Sequence, residues 1–138
     1  MNNQIKFHIA LNVSEIGTTV DFYKGLFNAE PVKLKDDYAK FELDEPGLVI
    51  SFIQAPDKVS SHFGHLGLRV ANEAQLAKRK EEVEKKLQIA LEETNTNCCY
   101  AQQDKFWVND PDGYEWEVYH FKKDVDKNDK RPQAVACC

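Results

Sequence analysis

Residues 5–13 alternate in character: Phe7, Ile9, Leu11 and Val13 share one side of an extended chain, and His8, Ala10 and Asn12 share the other. This period of two predicts a strand whose histidine sits opposite the apolar face. The period then lengthens. Ile16, Val20, Tyr23 and Phe27 recur at helical spacing behind Ser14, a suitable N-cap, and Asn28 supplies a stop. Three more strands are predicted at about 30–35, 38–44 and 47–54, divided by Asp36-Asp37 and Glu45-Pro46-Gly47. The order is β-α-β-β-β.

The same order returns further along. A strand is predicted at about 62–70, then a helix at about 72–88 whose start, Asn72 with Gln75 three later, has the capping-box pattern. Its body, Lys78-Arg79-Lys80-Glu81-Glu82, reads as a solvated face, with Leu76, Val83 and Leu87 as a narrow apolar stripe. Strands near 90–94, 99–108 and 114–121 complete this unit. The two first strands can be superposed: Phe7-His8-Ile9-Ala10-Leu11-Asn12-Val13 lies over Gly64-His65-Leu66-Gly67-Leu68-Arg69-Val70, with the histidines 57 residues apart. Lys40-Phe41-Glu42-Leu43-Asp44-Glu45-Pro46-Gly47 is likewise echoed in Lys105-Phe106-Trp107-Val108-Asn109-Asp110-Pro111-Asp112-Gly113. The chain therefore reads as a duplicated module with its repeated histidines meeting between the copies. The expected fold is α+β, two paired β-α-β-β-β modules forming a curved mixed sheet around a metal cleft. One domain spans 1–121, with modules at about 4–55 and 60–121. Residues 122–138 are polar, aperiodic and interrupted by Pro132, and are expected to form a flexible tail.

Composition narrows the function. A chain of 138 residues, 42% hydrophobic and 30% charged, suits a globular protein, and no apolar run approaches the ~20 residues that cross a bilayer. With 18 basic against 23 acidic residues, the net charge of −5 has the wrong sign for a protein held to phosphate backbones, which argues against nucleic acid as a partner. Met1-Asn2-Asn3-Gln4-Ile5-Lys6 lacks the apolar stretch of a secretory signal, so a cytoplasmic location is expected. The cysteines form two adjacent pairs, Cys98-Cys99 and Cys137-Cys138; in a reducing compartment these are ligands or reactive thiols more often than bridges.

The repeated histidines point to a metal. In the last strand, Trp116 and Val118 fall on one face and Glu115, Glu117 and Tyr119 on the other, which makes Glu117 the natural third ligand beside His8 and His65. Its counterpart in the first module is Ser51, so the fourth symmetric position is nearly empty. Two imidazoles and one carboxylate on one face of a divalent cation leave positions open, the pattern of non-haem Fe(II) enzymes that bind O2 and substrate. The ordinary alternative for Glu117 is an ion pair with a cation such as Arg69. His62 and His120 fall out of phase with the repeat.

These features resemble the vicinal oxygen chelate superfamily, which includes glyoxalase I, extradiol dioxygenases and bleomycin-binding proteins. The resemblance covers about residues 4–121. It is carried by the His8 strand, Val20-Asp21-Phe22-Tyr23-Lys24-Gly25-Leu26-Phe27, His65-Leu66-Gly67, and Asp110-Pro111-Asp112-Gly113 leading to Trp116-Glu117-Val118-Tyr119. The stretch from Thr94 through Cys98-Cys99-Tyr100 to Val108 further resembles the carbon-arsenic lyase branch and its relatives described as cadmium-induced proteins. That resemblance implies an Fe(II)-dependent dioxygenase that cleaves trivalent methyl- or aryl-arsenicals to arsenite. It implies His8, His65 and Glu117 as iron ligands, Cys98 and Cys99 as the thiols that hold arsenic, and O2 as co-substrate. Two thiolates suffice for an arsenical that keeps one carbon substituent, but neighbours in a regular strand point apart, so the pair is expected in a turn or loop. The Asn-Thr-rich residues ahead of it suit a loop. A strained vicinal disulfide is the other reading of the pair.

Cys137 and Cys138 are candidate accessory thiols on the tail. Lys105 is a candidate for keeping a thiolate charged, and the acid–base group is unassigned among Tyr100, Gln102 and Lys105. Three rival functions remain: a resistance protein that only sequesters cadmium or arsenic, a glyoxalase-like lyase using Ni or Zn, and a drug-binding module. Monomer and homodimer are both open.

Overall fold

The computed structural model describes residues 4–130. They fall into two compact units, one comprising the chain up to Phe63 with Asp110–Gly113, the other Gly64–Asn109 with the chain from Tyr114 onward. Each is a β-α-β-β-β module, as the repeat predicts.

In the first unit, β1 (Phe7–Val13) leads to α1 (Ile16–Phe27), followed by β2 (Lys33–Lys35), β3 (Tyr38–Leu43) and β4 (Leu48–Gln54). The four-stranded sheet has the order β1-β4-β3-β2, with β1 parallel to β4 and the remaining pairs antiparallel. Its core is aromatic. Tyr23 lies 4.3 Å from Phe52 between ring centroids, and Phe27 packs edge-on against Phe41. The cap of α1 is one residue later than predicted: Glu15 accepts from the backbone N–H groups of Gly17 and Thr18. Ser14 is engaged elsewhere, since its N–H and hydroxyl both bond to the Asp112 carboxylate. Asn28 ends the helix in the left-handed conformation, as expected of an Asn stop. The Asp110–Gly113 turn joins this unit through that contact and through the buried Tyr23 hydroxyl, which donates to Asp110 Oδ2 at 2.7 Å.

The second unit repeats the topology with β5 (Leu66–Val70), α2 (Glu73–Glu84), β6 (Leu91–Cys98), β7 (Ala101–Asn109) and β8 (Glu115–Asp124) in the order β5-β8-β7-β6. Asn72 caps α2 by accepting from Gln75 N–H. Within α2 only Val83 is buried; of the charged run Lys78 and Glu81 are exposed and Arg79, Lys80 and Glu82 half-buried, so none of it enters the core. Phe106, Val108, Trp116 and Val118 supply buried sheet residues. Residues 95–98, expected as loop, instead belong to β6: cross-strand bonding to β7 outweighs the turn preference of Asn and Thr, and a bulge between Glu93 and Thr96 absorbs the irregularity. Asn95 occupies the bulge at φ 52°, with its backbone N–H donating to Asp104 Oδ1 and its side-chain Oδ1 accepting from Lys122 Nζ. β8 runs through Asp124, beyond its predicted end, and Val125 and Asp129 are hydrogen-bonded to Tyr100 and Asn97. Cys137 and Cys138 lie outside the described residues. Among the described residues no helix is long and apolar enough to cross a membrane.

Candidate functional site

Equivalent positions of the two modules can be compared through their strand registers. Ala10 pairs with Ser51 across β1 and β4, and Gly67 pairs with Glu117 across β5 and β8. Backbone pairing thus makes Ser51 and Glu117 counterparts, as the repeat predicts. Each faces the histidine of its own module. His8 Nε2 lies 3.4 Å from Ser51 Oγ, which is itself 2.8 Å from the Tyr38 hydroxyl. His65 Nε2 lies 3.5 Å from Glu117 Oε1. One module therefore sets a hydroxyl, the other a carboxylate, before its imidazole.

Gly67 gives that carboxylate room. A Cβ at position 67 would stand 2.9 Å from Glu117 Cγ, closer than side chains tolerate, and in tight contact with its carbonyl oxygen at 3.3 Å. Ala10 faces the smaller Ser51, so a methyl group is accommodated there.

A carboxylate that is only 6% exposed needs a partner of opposite charge. Lys105 provides it, with Nζ 2.9 Å from Glu117 Oε2 and a side chain that is fully buried. The register sets Trp107 opposite Glu117 and Tyr119 opposite Lys105, so the pair forms on the diagonal between β7 and β8. The ammonium also lies 5.6 Å from the Trp107 ring centroid and 5.8 Å from that of Tyr119, within reach of their negative faces. Trp107 in turn meets the His65 ring edge-to-face at 5.1 Å and donates its Nε1–H to Glu93. Arg69, the sequence candidate for pairing with Glu117, instead stacks over Phe121. A lysine directly before the apolar run Phe106-Trp107-Val108 was the available signal for a buried ion pair.

Among the described residues, no three His, Cys, Asp or Glu side chains form a group that could hold a metal ion on their own. The second unit joins His65 to Glu117, and the first sets His8 beside Ser51. The donor types, imidazole nitrogen and carboxylate oxygen, suit a divalent first-row metal.

The cysteine pair sits at the junction of β6 and β7. Cys98 closes β6 opposite Ala101, which leaves Cys99 and Tyr100 as a two-residue hairpin loop. Both loop residues have positive φ, 53° and 60°, the requirement of a type I′ turn that Asn-Gly normally meets. Cysteine and tyrosine are costly there, at about 1–3 kcal/mol per residue. Cys98 is buried and Cys99 exposed; Cys98 still belongs to β6, while Cys99, at positive φ, lies in the turn. Both are disulfide-bonded. Gln103 supports the pair by donating Nε2–H to the Cys98 carbonyl. A groove of about 780 Å³ runs beside α2 and is lined by Lys80, Glu84, Glu93, Asp104 and Lys122, but not by His65, Glu117 or the cysteines.

Comparison with known proteins identifies the family and the fold. The family model described as "Glyoxalase/Bleomycin resistance protein/Dioxygenase superfamily" matches residues 7–118. A "Trivalent organoarsenical cleaving enzyme" from Bacillus sp. (strain MD1) is 41% identical over 132 residues, 95% of this chain and 81% of that protein. "Cadmium-induced protein CadI" from Mycobacterium bovis is 32% identical over 141 aligned positions, 96% of this chain and 92% of that one. Among solved structures, a glyoxalase/bleomycin resistance protein/dioxygenase from Alicyclobacillus acidocaldarius superposes with a TM-score of 0.70 at 14% identity, covering 87% of this chain and 93% of that one.

Proposed function

This chain belongs to the glyoxalase/bleomycin resistance protein/dioxygenase superfamily, and from that premise we propose that it cleaves the carbon–arsenic bond of trivalent organoarsenicals, using Fe(II) and O2. The observation that carries the reading is that one unit holds both the His65–Glu117 pair and a cysteine pair at a hairpin tip, in a chain 41% identical to a protein named for organoarsenical cleavage.

His8, His65 and Glu117 are the residues that would hold iron, and iron would supply the redox chemistry with O2. The protein's part is binding and orientation. Once an external thiol has reduced their disulfides, Cys98 and Cys99 can each lose a proton and displace one hydroxyl from R–As(OH)2, forming two S–As bonds and releasing two waters. That chelate fixes the arsenic and aims its carbon substituent, which supplies proximity to the oxidant. Lys105 holds Glu117 Oε2 through the buried ion pair, and Trp107 braces the His65 ring. For a methylarsenical the overall change balances without further reductant: CH3As(OH)2 and O2 give As(OH)3 and formaldehyde. A cytoplasmic setting, where thiols stay reduced, suits this chemistry.

The test is an incubation of reduced, Fe(II)-loaded protein with a trivalent methylarsenical under air, following arsenite. Cys98→Ser, Cys99→Ser and Glu117→Gln are each expected to abolish release. Turnover unaffected by either cysteine substitution would overturn the thiol role. The CadI likeness motivates one alternative, a protein that sequesters metal or arsenic without turnover. It predicts stoichiometric binding and no arsenite.

A further inference from the structure

The hairpin that carries Cys99 and Tyr100 is gripped by the segment after β8. Tyr100 N–H donates to Asn128 Oδ1 at 2.6 Å, and the Tyr100 carbonyl accepts from Val125 N–H at 2.8 Å. One step back along β6, Asn97 N–H donates to Asp129 Oδ2 at 2.9 Å, and the Asn97 carbonyl accepts from Asp129 N–H at 2.7 Å. Four hydrogen bonds therefore hold Asn97 and Tyr100, while Cys99 and Tyr100 lie in left-handed backbone that neither cysteine nor tyrosine favours. The grip falls on both sides of the cysteine pair.

We propose that Asn128 and Asp129 are positioning residues for the Cys98–Cys99 dithiol: they clasp the β6–β7 turn in the backbone conformation that lets two neighbouring sulfurs close on one arsenic atom. Neighbouring strand residues point to opposite faces, so the two sulfurs converge only while the chain stays out of regular extension at Cys99. A Gly at position 100 would adopt positive φ at no steric cost, and the clasp would then be redundant. This proposal rests on the reading of Cys98 and Cys99 as arsenic ligands.

The experiment measures binding rather than turnover. Reduced, metal-free, full-length protein carrying Cys137→Ser and Cys138→Ser is titrated with phenylarsine oxide in competition with 2,3-dimercaptopropanol, and thermal melting is followed in parallel. Asn128→Ala and Asp129→Ala are expected to weaken chelation on the order of tenfold, the equivalent of about 1.4 kcal/mol. Asp129→Asn, which keeps an acceptor oxygen, is expected to retain it. Adding Tyr100→Gly to Asn128→Ala is expected to restore the affinity of Tyr100→Gly alone. Parental affinity in both alanine variants overturns the clasp. So does a loss that Tyr100→Gly leaves uncorrected, because the defect would then lie in general loosening of the unit. Cys98→Ser and Cys99→Ser separate the two levels. If they bind as tightly as the parent, the arsenic-thiol reading has failed and the clasp with it. If they lose binding while the clasp variants keep it, only the clasp has failed.

Discussion

Replacing Lys105 by Met keeps most of the side-chain volume and removes the ammonium that lies 2.9 Å from Glu117. The lysine side chain is fully buried and that of Glu117 only 6% exposed, so water cannot take over the lost contact without opening the sheet. Breaking a buried pair by removing one partner costs about 3–5 kcal/mol, a large share of the roughly 5–15 kcal/mol that holds a domain folded. Glu117→Gln leaves the opposite defect, cushioned by the rings of Trp107 and Tyr119 at about 0.5–2 kcal/mol. The double variant Lys105→Met/Glu117→Gln leaves neither charge behind and is expected to recover most of the loss, because a neutral pair of similar volume is often as stable as a buried ion pair. Urea denaturation at pH 7 with a chelator present measures all four proteins in one double-mutant cycle. A Lys105→Met protein within about 0.5 kcal/mol of the parent, or a double variant that simply sums the two losses, would refute the reasoning. A divalent cation on Glu117 would replace part of the missing charge, so added metal is expected to narrow the Lys105→Met deficit.

Gly67→Ala is expected to leave the fold intact but to displace Glu117, whose Cγ lies 2.9 Å from where the new methyl would stand, and to weaken Fe(II) or Co(II) binding about 10–100-fold, as loss of ligand support typically does. Affinity within twofold of the parent in a metal titration would contradict it. At the start of α1, the backbone N–H of Thr18, then the Thr18 hydroxyl and the Gly17 N–H, hold the Glu15 carboxyl below the usual glutamate range. A value lowered by folding stabilises above the ordinary glutamate range and fades as pH falls through the folded value. The stability gap between the parent and Glu15→Gln should therefore shrink between pH 7 and pH 3. A gap that stays constant in denaturation at both pH values would remove the carboxylate from the cap.

Much of this architecture is legible in the chain because both modules advertise their faces by simple alternation. His8 and His65 identify the duplication, and the registers Ala10–Ser51 and Gly67–Glu117 agree with the alignment made from residue types alone. What is not legible depends on long-range partners. Ser14 is as good a cap as Glu15 until Asp112, remote in sequence, claims its N–H and hydroxyl. Residues 95–98 read as loop because local preference cannot see the β7 ladder that makes them a strand. The partner of Glu117 is equally hidden: Lys105 and Arg69 are both cations near it, and only the diagonal across β7 and β8 selects Lys105. The tail is the same case, since the polar residues that suggest disorder include Asn128 and Asp129, whose side-chain oxygens accept backbone N–H groups from the hairpin.

Oxygen consumption measured beside arsenite release tests the central claim most directly. With reduced, Fe(II)-loaded protein and a trivalent methylarsenical, the account predicts one O2 consumed and one formaldehyde formed per arsenite, and no arsenite in an anaerobic cell. Arsenite released at the same rate without O2, or arsenical bound tightly with none released under air, would contradict it.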